Sequence, residues 1–222
     1  MKKSLQSRKR QLVLDAIYDA AIVLFAKKGF DKTTIDEIAE AAGISRRTVF
    51  RYFESKDDLL ALNTIHCGEA LIKTVASCST EFSLLEVVHE AVLAGTKFTE
   101  SQRHTHQIIE IAKRSVSARQ AHLSRWMEVE DKLASAYAAR MRSRRDYLRP
   151  RLVAGMTLLI LNAATSSWFQ GEHKDLATAE KQAFRNLTQL LCDESMTSSS
   201  TDRVLGNKAR TTRVSSTTVV DR

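Results

Sequence analysis

The sequence of 222 residues predicts an all-α protein, a fold class read from three features. Helix breakers are scarce, with one Pro and seven Gly, so long periodic segments run without interruption. Apolar residues recur every three or four positions rather than in alternation, the period of helices with one buried face. The Ser/Thr-x-x-Asp/Glu form of a capping box precedes three such segments, at Thr34 with Glu37, Ser55 with Asp58 and Ser83 with Glu86. A hydrophobic content of 43% supplies ample material for a packed core.

Residues 1–10, MKKSLQSRKR, read as a flexible basic arm in which Lys2, Lys3, Arg8, Lys9 and Arg10 can follow a polyanion. A first helix comes next, with Leu14, Ile17, Ala21, Leu24 and Phe25 on one face, Lys27 and Lys28 at its carboxyl end and Gly29 as its stop. Thr34 opens a short second helix with Ile38, Ala39 and Ala42 inward, and Gly43 provides the positive φ of a tight turn. Ser45 caps a third helix, expected over residues 45–53, with Val49 and Phe53 pointing back at the second. Two helices that cross steeply need a small residue at the contact, which Ala39 supplies, and a short turn between them.

The other face of that third helix carries Arg46, Arg47, Phe50 and Arg51. Guanidinium groups on an exposed helix fork onto guanine edges or phosphates in the major groove, and hydroxyls such as Thr48 and Tyr52 suit the DNA backbone. Residues 11–58 are therefore expected to form a helix-turn-helix DNA-binding domain. The net charge of +8 agrees with a polyanionic partner without identifying one.

The stretch from Arg8 to Leu60 resembles the amino-terminal domain of the TetR family of bacterial transcriptional regulators. The resemblance rests on LFAKKGF at residues 24–30, TTIDEIAEAAGIS at 33–45 and RRTVFRYFESKDDLL at 46–60. It implies a homodimeric, ligand-responsive regulator, a repressor, acting on a palindromic DNA operator. Arg46, Arg47 and Phe50 are the expected base readers. Thr34, Ser45, Thr48, Arg51, Tyr52 and Lys56 are expected along the DNA backbone, Lys56 from the first turn of a fourth helix.

Residues 59–192 are expected to form an effector-binding and dimerisation domain, with later helices near 83–95, 103–115, 118–142, 147–170 and 176–192. Large or adaptable apolar groups suited to an oily pocket are Phe98, Trp126, Met127, Tyr137, Met156 and Trp168, while His106, Glu130 and Asn162 offer polar anchors. Each of these also fits an ordinary core or surface position. The run from Trp126 to Trp168 is similar to the carboxyl-terminal domain of TetR-family regulators of mycofactocin systems, which implies an acyl-coenzyme-A-like effector. No other cofactor is expected. The helix at 151–170 is apolar nearly all round, and with that at 176–192 it is expected to form a four-helix interface between two copies.

Residues 193–222, rich in Ser and Thr without periodicity, read as a disordered tail. His104 and His106 at i, i+2 lack further ligands for a metal. No Gly-x-Ser-x-Gly, Gly-rich phosphate loop or His-Glu-x-x-His occurs, so an enzyme is not expected. The apolar run 152–164 is too short to span a bilayer, and Cys67, Cys78 and Cys192 suit a reducing compartment; the expected location is the cytoplasm. Two other readings stay open: a DNA-modifying or recombining enzyme targeted by a helix-turn-helix, and a non-switching architectural DNA-binding protein.

Overall fold

The computed structural model describes residues 5–142 and 146–195. Nine α-helices and no strands occur among them. The head consists of α1 (Leu5–Lys28), α2 (Ile35–Ala41) and α3 (Arg46–Phe50), and α4 (Lys56–Ser77) runs from it into the body. The body contains α5 (Leu84–Ser101), α7 (Val116–Arg140), α8 (Leu148–Phe169) and α9 (Leu176–Ser195), with α6 (Thr105–Arg114) against both α1 and α7. All three capping boxes form reciprocally, each hydroxyl accepting from the N3 amide and each N3 carboxylate from the cap amide. Helix α5 outruns its expected end at residue 95 and continues to Ser101, with the Thr96 and Thr99 hydroxyls turned back onto the carbonyls of Val92 and Gly95.

The two ends of the chain differ from the sequence expectation. Residues 5–10 are the opening turns of α1 rather than a flexible arm, and residues 1–4 lie outside the described residues. Residues 193–195 finish α9, and the remainder of the expected tail, 196–222, also lies outside. A further correction concerns α8. Its 22 residues contain an 18-residue stretch of mean hydropathy 1.5, by length and composition enough to cross a membrane, contrary to the reading from 152–164 alone. Val153, Ala154, Ile160 and Leu161 of this helix lie in the body core, which accounts for much of that apolar character.

Packing does not divide the chain at residue 58. The head core of Ile17, Ala21, Ile22, Phe25, Ile38, Ala39, Val49 and Phe53 also takes in Leu59 and Leu60 of α4, Ile108 and Ile111 of α6 and Ala118 of α7. The body core gathers Leu71 and Val75 of α4, Val87, Val88 and Val92 of α5, and Leu133 and Tyr137 of α7 around the inner face of α8. Tyr137 is fully buried; its hydroxyl pairs with Thr157 Oγ1 at 2.9 Å, and burial raises its pKa to about 12.

Helices α4 and α7 meet at Gly68, where an added Cβ would stand 2.5 Å from Val129 Cγ2. In an open helix Gly→Ala gains up to about 1 kcal/mol, but overpacking a filled contact costs about 1–3 kcal/mol. Gly68→Ala should therefore lower the thermal midpoint, and adding Val129→Ala should restore part of the loss. A midpoint raised by Gly68→Ala alone would show that the contact has slack.

Glu180 of α9 is 0% exposed and neither of its oxygens has a hydrogen-bond partner; His89 Nε2 lies 3.6 Å from Oε1. Burial pushes its carboxyl above the ordinary glutamate value of 4.5. The folded state thus binds this proton more tightly than the unfolded one, so stability falls as pH rises from that value through the folded-state value, and stays lower beyond. Glu180→Gln should melt above wild type at about pH 8 and converge with it near pH 4. Parallel melting curves across that range would remove Glu180 as the source of the dependence.

Candidate nucleic-acid interface

Local hydrogen bonds explain why α2 and α3 hold their angle. Thr34 Oγ1 accepts from the Glu37 amide, and the Glu37 carboxylate accepts from the Thr34 amide and pairs with Lys28 of α1. The Lys28 contact, followed by the Thr34 amide, keeps the Glu37 carboxyl below its ordinary value. Gly43 turns the chain at φ +67, and the Ile44 amide donates to Ala39 O at 3.0 Å. Ser45 Oγ then accepts from the Thr48 amide and lies 2.9 Å from Thr48 Oγ1, so both hydroxyls lie at the start of α3.

Val49 is buried, while Arg46, Arg47, Phe50 and Arg51 are exposed together. Regular α-helix ends at Phe50, three residues short of the expected span, although the Phe53 amide still donates to Val49 O at 3.0 Å. Arg46 lies 5.3 Å from the Phe50 ring centroid and pairs with Asp36 of α2 at 3.0 Å. No sequence signal marks Asp36 as this partner, since an acid at the second position of a helix reads as a favourable match to the helix dipole. An exposed pair of this kind contributes about 0–1 kcal/mol, little enough to yield when DNA competes for the guanidinium. Arg51 lies 4.9 Å from the Tyr52 ring centroid, with Nη2 donating to Tyr52 Oη at 3.3 Å.

Lys56 is placed differently from the expectation of a phosphate contact. Its ammonium donates to Phe30 O at 2.8 Å and Asp31 O at 3.3 Å, and lies 4.6 Å from the Phe30 ring centroid. It therefore ties α4 to the turn after α1. No sequence signal marks this contact, because the carbonyls it meets belong to residues 23 to 26 positions away.

Three carboxylates of the head make polar contacts with the body. Asp19 of α1 pairs with Arg103 at 3.0 Å and His104 Nε2 at 2.8 Å. Asp31 accepts from Ser115 Oγ at 2.8 Å, and that hydroxyl is the leading cause of its lowered pKa. Asp58 accepts from Arg125 of α7 at 2.7 Å while its other oxygen accepts from the Ser55 amide at 3.1 Å.

The family model described as bacterial regulatory proteins, tetR family, matches residues 17–62, and that of the MftR C-terminal domain matches residues 82–191. A Mycobacterium tuberculosis protein bearing the name mycofactocin biosynthesis transcriptional regulator MftR is 30% identical over 188 residues, covering 80% of this chain and 90% of that protein. The chain belongs to the TetR family of bacterial transcriptional regulators.

Solved structures of similar fold include NalD, the secondary repressor of the MexAB-OprM multidrug efflux pump in Pseudomonas aeruginosa. Its TM-score is 0.58 at 19% identity, over 80% of this chain and 95% of that one. The Bacillus subtilis regulator FadR in complex with stearoyl-CoA has a TM-score of 0.54 at 18% identity, over 77% and 95%. Family membership makes the head a DNA-binding helix-turn-helix, and this TetR-family regulator carries it on α2 and α3.

The nine residues expected around an effector are not brought to one place. Phe98, Trp126, Tyr137 and Met156 belong to the body core, and Trp168 packs with a small cluster at the far end of α8. The His106 and Trp168 rings lie 4.4 Å apart between centroids and inclined at 59°, Met127 is 68% exposed, Asn162 is exposed, and Glu130 lies 4.0 Å from Arg151. The Trp126 indole donates to His122 Nε2 at 3.0 Å, so the His122 proton sits on Nδ1 toward Thr64 Oγ1, and burial lowers the His122 pKa toward the neutral form. A cleft of about 520 Å³ lies elsewhere, among Phe82, Leu84, Arg140, Met141, Arg142 and Arg149. Among the described residues no group of three or more His, Cys, Asp or Glu is arranged to hold a metal ion.

The Lys56 geometry yields a test. Hydrogen bonds from a charged donor contribute about 1.5–3 kcal/mol, so Lys56→Met should lower stability by about that amount in the absence of DNA. Thermal unfolding of the free protein measures it. An unchanged midpoint together with a reduced salt dependence of DNA binding would return Lys56 to the phosphates.

Proposed function

We propose that the protein is a cytoplasmic, homodimeric, effector-responsive repressor that binds a palindromic operator through α3. The observation that carries this reading is the exposed Arg46, Arg47, Phe50 and Arg51 surface on a helix whose opposite side is locked into the head core by Val49. Arg46, Arg47 and Phe50 read base edges, and Thr34, Ser45, Thr48, Arg51 and Tyr52 position the DNA backbone.

The dimer reading draws support from α8 and α9. On α8, Leu152 is 63% and Leu159 62% exposed, with Leu148, Asn162, Ala163 and Ser166 also exposed, and Leu190 of α9 is 65% exposed. Their spacing on α8 makes an outward stripe that a second copy would cover, doubling the DNA contact about one helical turn, ~34 Å, away.

An acyl-coenzyme-A-like effector is the class we favour, supported by the match to the MftR C-terminal domain and by the stearoyl-CoA complex of FadR. Phe98, Trp126 and Met156, half-buried on the body core, are the residues best placed to line its site once α4 and α7 part. Separation of those helices would load the Asp58 to Arg125 contact and rotate the head, so that two heads no longer match successive major grooves.

Footprinting on DNA upstream of the gene, followed by band shifts with acyl thioesters, tests the whole reading. A protected palindrome released by an acyl thioester is expected; no protected site would overturn it. Within that assay Arg46→Ala should cost about 1–3 kcal/mol and relax sequence preference at one base position per half-site. Leu152→Asp with Leu159→Asp should yield a folded monomer by sedimentation that has lost the operator. A variant pair that remains dimeric would move the interface off α8.

A further inference from the structure

We propose that Arg10, Arg51 and Tyr52 together form one binding site for a DNA phosphodiester, contributed jointly by the first turns of α1 and the end of α3. The inference rests on the reading of α3 as the DNA-binding helix and adds a second element to that surface.

The starting observation is the shape of α1. It begins at Leu5, and residues 5–12 are all exposed, so its first two turns project past the head core. A projecting helix end with no buried face gains nothing from packing, and a short helix in water is marginal by itself. Its charges are also unfavourable in isolation. Arg8, Lys9 and Arg10 stand close to the positive end of the helix dipole, and the first turn contains no acidic residue. A nearby anion reverses that penalty.

The second observation is where Arg10 goes. Its guanidinium carbon lies 5.9 Å from the Tyr52 ring centroid, and that of Arg51 lies 4.9 Å from the same centroid. Two guanidinium groups around one ring repel each other, and among the described residues neither has a carboxylate within ion-pair distance. Of the other exposed arginines of this surface, Arg46 is paired with Asp36, and Arg47 has neither an ion pair nor an aromatic platform among the described residues. Arg10 and Arg51 are thus left with an aromatic platform, which orders them for about 0.5–1 kcal/mol each, and without an anion.

A phosphodiester suits this arrangement. It carries one negative charge and two oxygens, each able to accept from a guanidinium, and the Tyr52 hydroxyl stands beside them as a further donor. Such a contact carries no sequence information. It would anchor the amino-terminal end of α1 on the DNA backbone and fix the approach of α3 to the groove.

The test measures binding to a fluorescein-labelled duplex of random sequence by anisotropy across a salt series, so no operator need be known. Arg10→Gln and Arg51→Gln are each expected to weaken binding about 3- to 10-fold and to reduce the salt slope by about one. Their combination should weaken it by less than the product of the single effects, because both act on one phosphate. Tyr52→Phe should preserve that coupling and Tyr52→Ala should abolish it.

Thermal midpoints within a degree or two of wild type for the arginine variants exclude loss of folding as the cause. An Arg10→Gln variant with unchanged affinity and slope overturns the inference, as do single effects that multiply. If Arg10→Gln is silent while Arg46→Ala still weakens binding, only the composite site falls. If the native protein binds no duplex at all, the DNA-binding reading of α3 falls with it.

Discussion

The carboxylate of Asp58 receives the Ser55 amide on one oxygen and the Arg125 guanidinium on the other, so the first turn of α4 and the middle of α7 are held by a single group. It acts beside the contacts of Asp19 with Arg103 and His104 and of Asp31 with Ser115. Leu59 and Leu60, the next two residues, enter the head core, and farther along α4 the contact at Gly68 draws α7 tightly against it. A capping box is a local device, satisfying amides that a helix start leaves open. Here the same device carries tertiary load, since any shift of α7 is felt at the cap through Arg125.

Helix α6 makes the attachment two-sided. Its Ile108 and Ile111 complete the head core, whereas His106 meets Trp168 at an inclined ring contact and Lys113 lies 3.9 Å from the Phe169 ring centroid at the end of α8. One short helix therefore joins the back of the reading head to the carboxyl end of the helix with the outward apolar stripe. Acidic residues of the head, Asp19, Asp31 and Asp58, all meet partners on the body side, and the exposed arginines gather on α3. These pairings turn three head carboxylates toward the body in a chain that already has a net charge of +8.

Close approach also shapes the body. Gly68 and Gly95 let α4 and α5 come within reach of Val129 and Leu161, and the valine and leucine side chains fill the space. This density separates the expected effector residues into core, rim and surface positions. An effector site between these helices would thus require them to part, and the polar head-to-body contacts are where such a movement would register.

Much of the head was legible in the sequence because its determinants are local. The capping boxes at Thr34 and Ser55, the left-handed Gly43 and the Val49 and Phe53 register depend on neighbours within one or two turns, and each is realised as expected. The all-helical class followed in the same way from periodicity and the scarcity of breakers. What only the tertiary structure decided was the partner of each long polar side chain and the company of each large apolar one. Lys56 turns to carbonyls of the α1–α2 turn, Glu180 is buried without a hydrogen bond, and Met127 and Trp126, adjacent in sequence, lie respectively on the surface and against the core. Periodicity says which face of a helix is buried. It does not say what covers that face, because the covering residues come from elements distant in the chain.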